Sequence, residues 1–377
     1  MTTTINNEHK KLNVPNLRFK EFQGEWEKCK VGDFGKVITG NTPPTKDIEN
    51  YENGQYLWVS PADLGLLKSI TETKTKLSKK GFDKTRVLPT GSVLVTCIGS
   101  TIGKMGMTTK ETSTNQQINA IVVNKSNNNE FVYYAVQSAF PKYLSSIAVQ
   151  AVPIISKSSF ELLPNYRPSI QEQEKIGRLF ALLDERIATQ NKVIDKLQSL
   201  IKGIAHKISK QGKPNTRLTE CLQCSSSTLQ ESDVAEVGLY PVYGANGIVG
   251  YLDTYNTTDE AIYIIKDGSG VGAVSYVNGN CSATGTLNTL QAKDGFSLRY
   301  LYFMLRVFSF EPYKTGMAIP HIYFKDYGKA KIYCPSYELQ IKYANVLSKI
   351  EQKTIAEQQI LANLYDQKQY LLRQMFI

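Results

Sequence analysis

Two stretches of the chain repeat apolar residues at alternating spacings of three and four. The first follows Pro168 and Ser169 and sets Ile176, Phe180, Leu183, Ile187, Ile194, Leu197, Ile201, Ile204 and Ile208 on one stripe. That period is the seam of a coiled coil. Ser169 with Glu172 three residues on reads as a capping box at its start. Gly212 and Pro214 end it. The second stretch follows Pro335 and Ser336. Shifted by 167 residues, the same stripe falls on Tyr343, Leu347, Ile350, Thr354, Leu361, Leu364, Lys368, Leu371 and Met375, and all but Thr354 and Lys368 keep its apolar or aromatic character. Each helix is about 40 residues, roughly 60 Å, longer than a small domain is wide. Such a helix needs a partner for its seam, and its own copy is the best candidate. Because each follows a globular region, an antiparallel pairing puts the two regions at opposite ends of a rod.

The remaining sequence lacks a long helical period. It is dense in short β-like runs, "QYLWVS", "SVLVTCI", "INAIVV", "LYPVYG", "AIYIIK" and "GAVSYV", punctuated by Gly, Asn and Ser. These runs repeat too. Gly99-Ser100 and Gly103 fall on Gly268-Ser269 and Gly272, 169 residues further on, and Asn119 falls on Asn288. "EFVYYAVQSAF" answers to "LRYLYFMLRVF", "AVPIISKSSF" to "AIPHIYFKDY", and "RPSIQEQEKI" to "CPSYELQIKY". The chain is therefore two diverged copies of one unit in direct order, which decides the architecture before any single motif does. The expectation is an α+β fold of two tandem, mostly-β domains, each followed by a long helix. The helices pair as an antiparallel coiled coil with pseudo-two-fold symmetry. The boundaries expected are 1–166 and 213–333 for the domains, 167–212 and 334–377 for the helices.

Composition narrows the chemistry. The net charge of +10 favours an acidic partner, and nucleic acid is the obvious one. No apolar run reaches the roughly 18 residues of a membrane span, and "MTTTINNEHKK" has no apolar core of a signal peptide. A cytoplasmic protein without a membrane partner is expected. Six irregularly placed cysteines fit reduced thiols. Cys221 and Cys224 form a lone C-x-x-C, and His9, His206 and His321 lie far apart, so the further ligands of a zinc site are missing and no metal is expected.

"GSTIGK", residues 99–104, approaches a nucleotide-binding loop, but its spacing is one residue short and Met105 stands where a hydroxyl would bind magnesium. In the second copy Lys104 becomes Ala273. A job shared by both loops does not need the lysine, so the glycines read as a turn. "NTPPT" (41–45) lacks the aromatic of an adenine methyltransferase motif and reads as a Pro-rich turn. With no nucleophile elbow, zinc helix or Rossmann glycine motif, no catalytic residue is assigned. The chain reads as a binder.

Two similar units on a rigid spacer suit a bipartite target: duplex DNA has matching local dyads, and modules on one face would meet major grooves about 34 Å apart. Polar loop residues would read base edges while Lys and Arg hold phosphates. In the first copy the candidates are Thr39, Asn41, Thr42, Ser100, Thr101, Lys104, Gln116 and Gln117. In the second they are Tyr243, Asn246, Ser269, Thr286, His321 and Tyr323. For each, a turn-forming or surface role is an equal reading. Two alternatives stay open: a scaffold joining two protein partners, and a nucleotide-dependent enzyme using the Gly99–Lys104 loop.

The chain resembles the specificity (S) subunits of type I restriction–modification systems. The resemblance rests on "PNLRFKEFQGEWEKCKVGDF", "YPVYGANGIVGYLD", the paired "GSTIGK" and "GSGVGA", and "PSIQEQEKIGRLFALLDERI". It covers nearly the whole chain, and the duplicated order of domain and helix is its most specific part. It implies two target-recognition domains reading the halves of an interrupted site in double-stranded DNA, with the helices as a ruler. It implies docking of two modification (M) subunits, which carry S-adenosylmethionine and methylate adenine. Restriction (R) subunits, which use ATP and magnesium, join that core. The chain itself is implied to hold no cofactor. One departure stands out: from Tyr56 to Gly99 the first copy has 43 residues, against 28 from Tyr240 to Gly268.

Overall fold

A computed structural model of the chain describes residues 13–65, 67–146, 154–316 and 319–377. The N-terminal "MTTTINNEHKK" with His9 lies outside the described residues, as do the "AVP" of the first "AVPII" and the first residue of "AIPHI". Two compact units emerge, residues 1–189 with 362–377, and residues 190–361. Each long helix contributes one of its ends to each unit.

The first unit carries a five-stranded sheet in the order Gly35–Thr39, Ile118–Val123, Val93–Thr96, Met105–Thr108, Ser69–Ile70. A three-stranded sheet sets Tyr56–Val59 between Thr75–Leu77 and Ser113–Thr114. Glu27–Lys30 pairs with Pro164–Arg167. The second unit repeats this plan. Its four-stranded sheet runs Leu222–Ser226, Leu287–Ala292, Ala261–Ile265, Val274–Val277, and Tyr240–Gly244 lies between Gly247–Leu252 and Ser282–Ala283. Thr216–Arg217 pairs with Lys331–Ile332. Every β-like run named above is a strand, because each offers β-branched or aromatic residues that a half-buried pleat accommodates. The extra length of the first copy forms the turn Pro61–Asp63 and the short strand Ser69–Ile70, which has no counterpart in the second.

The long helices span Ile170–Ser209 and Tyr337–Met375. Their direction follows from three contacts. Asp184 meets Lys368 at 2.6 Å, Gln190 donates to the Glu357 carbonyl at 3.0 Å, and the Tyr343 hydroxyl donates to Gln211 at 2.7 Å. As one number rises the other falls, so the helices run antiparallel. Within the first unit Ile176, Phe180, Leu183, Ile187 and Leu364 are buried and Leu371 is half-buried beside buried Leu372. Within the second, Ile194, Ile201, Ile208 and Leu347 are buried, and Leu197, Ile204, Ile350 and Leu361 are half-buried. Thr354 turns its hydroxyl back to the Ile350 carbonyl at 2.9 Å, which lets it sit buried on the seam.

A matched glutamine ties each long helix to the domain before it. Gln173 bonds the Asn128 N–H and the Pro168 carbonyl; Gln340 bonds the Ser297 N–H and the Pro335 carbonyl. Both glutamines are buried, and both hold the start of a short helix, Asn129–Ser146 in one unit and Leu298–Leu305 in the other. The expected capping box at Ser169 is only half formed. Its hydroxyl accepts the Glu172 N–H at 3.4 Å, but the buried Glu172 carboxylate is taken by Arg18 at 2.7 and 2.8 Å. A full ion pair outcompetes the backbone N–H for that carboxylate. The first core is aromatic, with Trp26, Phe131, Phe180 and Phe376 within 5.6–6.2 Å of one another where they meet, so the end of the second long helix closes the first domain.

Candidate nucleic-acid interface

The glycine loop is a hairpin turn joining Val93–Thr96 to Met105–Thr108. The Gly103 N–H returns to the Thr96 carbonyl at 2.9 Å, and the Thr96 N–H to the Lys104 carbonyl at 2.8 Å. No helix follows it, so the backbone N–H groups that would cradle a phosphate are spent on the turn. Gly99 and Gly103 adopt φ of 93° and 90°, where a side chain is strained. A Cβ on Gly103 would lie 2.8 Å from the Phe140 ring, and one on Gly272 would lie 3.1 Å from Phe310. In both copies the glycine lets an aromatic ring lie against the turn. The glycines serve the fold, and the shared need explains why the lysine does not repeat.

Around this turn the first unit gathers most of its expected residues. Gln117 lies over Gly99, within 3.6 Å of where a Cβ would stand, and is held by Asn115 at 3.0 Å. The Thr42 hydroxyl donates to Gln116. Thr39 donates to Asn119 at 2.7 Å. Asn41 bonds the Lys84 carbonyl and the Arg86 N–H, both at 2.9 Å. Thr39, Asn41 and Thr42 are thus half-buried and engaged, whereas Ser100 and Gln116 are exposed. Lys104 is exposed and does not join the group. Its chain rests on Gly65 of the insertion, whose Cβ position is 3.1 Å away.

The second unit builds a different cluster from the equivalent elements. The Lys266 N–H donates to the Thr286 carbonyl, the Ile322 N–H to the Lys266 carbonyl, and the Gly268 N–H to the Pro320 carbonyl, at 2.9–3.0 Å. Thr284 and Thr286 share a hydroxyl contact of 2.8 Å, and the Thr284 N–H bonds the Tyr243 carbonyl. These bonds bring Tyr243, Thr286, Ser269 and His321 onto one connected set of loops. His321 stacks edge-on with exposed Tyr323 at 5.3 Å, and the Lys325 ammonium rests 5.2 Å above the Tyr323 ring. Asn246 is exposed at the tip of the hairpin between Tyr240–Gly244 and Gly247–Leu252, and none of these bonds ties it to the cluster.

Charge at the first cluster comes from residues the sequence did not single out. Lys84 is held by Asp47 at 3.0 Å, and that contact keeps the Asp47 carboxyl below its ordinary range. Lys79 and Lys80 pair with Asp83 and Glu49. The Arg86 guanidinium instead donates to the Thr39 carbonyl at 2.7 Å and stays exposed, with no carboxylate paired to it among the described residues. Nothing in "FDKTRVLPTG" marks Arg86 out, because only the fold brings it to Thr39 and Asn41. Burial pushes the Cys97 and Cys29 thiols up to about 12 and Cys224 to about 11, so they are neutral thiols at neutral pH. Among the described residues no group of three or more His, Cys, Asp or Glu is placed to hold a metal ion, and no helix is long and apolar enough to cross a membrane.

Both units match known proteins. A family profile described as the type I restriction modification DNA specificity domain matches residues 23–199 and again 217–365. The specificity subunit of the type I restriction enzyme MjaIX from Methanocaldococcus jannaschii is 27% identical over 182 residues, 46% of this chain and 42% of that one. The HindI specificity subunit from Haemophilus influenzae is 33% identical over 126 residues, 33% of this chain and 27% of that one. The chain therefore spans less than half the length of these curated relatives. A crystal structure of a type I restriction–modification S subunit from M. genitalium shares the fold, with a TM-score of 0.67 at 19% identity, covering 97% of this chain and 99% of that one.

Proposed function

We propose, for a chain that belongs to the type I restriction–modification DNA specificity family, that it reads an interrupted two-part DNA site on behalf of partner enzymes. The observation that carries this reading is the double match: each copy of the repeat answers separately to the specificity domain. Loops around Thr42, Ser100, Gln116 and Gln117 would read one half-site, with Arg86 on a phosphate. Loops around Tyr243, Ser269, Thr286, His321 and Tyr323 would read the other. Neutral thiols and hairpin glycines support a chain that contributes no catalytic group. The antiparallel helices would set the gap and, with adjoining domain surfaces, hold two modification subunits carrying S-adenosylmethionine. Restriction subunits using ATP and magnesium would join through them.

The test is adenine methylation across a genome, read by long-read sequencing in cells with the cognate modification subunit, with and without this chain. A two-part motif methylated only in its presence supports the reading and reveals both half-sites and the gap. Methylation unchanged by the chain, with the modification subunit folded and expressed, overturns it. A scaffold for protein partners then takes its place, recognisable by the lack of a salt-dependent DNA affinity.

A further inference from the structure

The two copies differ most where the first has its insertion, and the difference leaves a groove open in the second. In the first unit Ser69–Ile70 pairs in parallel with the outer edge of Met105–Thr108. The Met107 N–H donates to the Lys68 carbonyl at 2.7 Å. This strand carries the Lys68 side chain to Glu130 at 2.7 Å, the Tyr134 hydroxyl at 3.0 Å and Asp184 of the long helix at 3.3 Å. A piece of the chain itself thus fills the angle between edge strand, short helix and long helix.

The second unit has the same three walls. Val274–Val277, the counterpart of Met105–Thr108, is the last strand of its sheet among the described residues. Beside it lie two adjoining cavities of about 420 and 550 Å³ that share Gln198, Ile201 and Arg306 in their walls. The charges differ at two positions. Glu351 stands at the position of Asp184, but Arg299 replaces Glu130 and Arg306 replaces Gln137. Both arginines bind the one Glu351 carboxylate, at 2.5 and 3.1 Å, and a second carboxylate, Glu260, stands on the far side by Tyr276. Arg299 stacks 4.2 Å from the ring of Tyr276 on the edge strand. The Tyr276 hydroxyl is shielded from solvent, between Arg299 and Glu260.

We infer that this groove takes an extended segment of a partner protein, which adds in parallel to the free edge of Val274–Val277 and directs a carboxylate side chain at Arg299 and Arg306. The first copy supplies the precedent, since its equivalent groove is filled by a strand with a charged side chain. Strand addition gives main-chain bonds, and the side chain gives selectivity. A lysine like Lys68 would meet two guanidiniums here in place of Glu130 and Gln137, and that exchange favours an acid. A lone inorganic anion would meet the arginines but leave the strand edge and exposed Ile355 uncovered. The inference stands apart from the DNA reading, and either can fail alone.

The probe is a synthetic peptide copying Leu67–Thr73 of this chain with Lys68→Glu, and its control keeps the lysine. Titrated onto the full chain by fluorescence anisotropy, the acidic peptide is expected to bind at least about tenfold more tightly than the control. Arg306→Glu is expected to reverse that order, a gain of lysine-peptide binding that an unfolded chain cannot show. Equal affinities, no saturation by either peptide at millimolar concentration, or an order unmoved by Arg306→Glu overturns the proposal. Saturation by inorganic phosphate without peptide binding would make the groove a small-anion site. A dimer abolished by Arg306→Glu would assign it to a second copy. Both outcomes also overturn it.

Discussion

Gly103 and Lys104 are neighbours with opposite roles. Gly103 holds φ of 90° with its missing Cβ 2.8 Å from Phe140, so Gly103→Ala is expected to lower stability by about 2 kcal/mol. Lys104→Ala removes only an exposed chain lying on Gly65 and is expected to leave the melting curve unchanged. Thermal denaturation of the two variants side by side checks this, and a nucleotide-binding loop would give the lysine the larger effect on activity. Glu172 makes a second point at this scale. It is 1% exposed and bonds Arg18 through both oxygens. Glu172→Ala leaves that guanidinium without its partner against the core, and is expected to cost about 3 kcal/mol, read from the urea midpoint.

At the scale of elements, the long helices are held in register by polar groups on an apolar seam. Gln190 and Glu357 occupy equivalent positions in the two copies and bond to each other, and Lys353 also pairs with Glu357. A polar pair among apolar residues disfavours a slipped seam, which would bury it against leucine or isoleucine. Lys353 first, and then Gln190, hold the Glu357 carboxyl below its ordinary 4.5. A carboxyl whose folded pKa is depressed stabilises the fold above its unfolded value and loses that contribution as pH falls through the folded one. Glu357→Gln is therefore expected to melt below the parent at pH 7. The gap should close as pH drops below about 4.5, and calorimetry showing a constant gap from pH 7 to pH 3 would remove this role.

For the whole molecule, the duplication matters because the two copies have kept their walls and changed their linings. Asn119 and Asn288 are both buried beneath their clusters; each accepts from the hydroxyl opposite it, Thr39 or Ser226, and Asn288 also donates to Tyr327. The side chains above them differ in type and in number. On the proposed function, substituting Gln116 and Gln117 is expected to change one half of the methylated motif and spare the other. Substituting Thr286 and His321 is expected to do the converse. Motif mapping of each variant decides it, and a change spread over both halves would contradict independent reading. Arg86→Ala is expected to weaken binding of all sequences alike and to lower the salt slope by roughly one phosphate contact.

The sequence by itself determined the repeat, the strands and the two helices. Those depend on local period, turn chemistry and residue shape, which are written in order along the chain. The antiparallel partner was also within reach, because a seam of that length has no other apolar stripe to meet. Tertiary structure alone decided where residues distant in sequence meet: Arg18 on Glu172, Arg86 on Thr39, Phe376 in the first core, Lys68 between Glu130 and Asp184. Each joins segments from 47 to more than 200 residues apart, and no period or spacing encodes such a meeting. It also decided that Lys104 lies apart from Gln117 although both border the same turn. The direction of a side chain depends on what packs beneath it, and here that is Gly65 in a strand insertion that only one copy possesses.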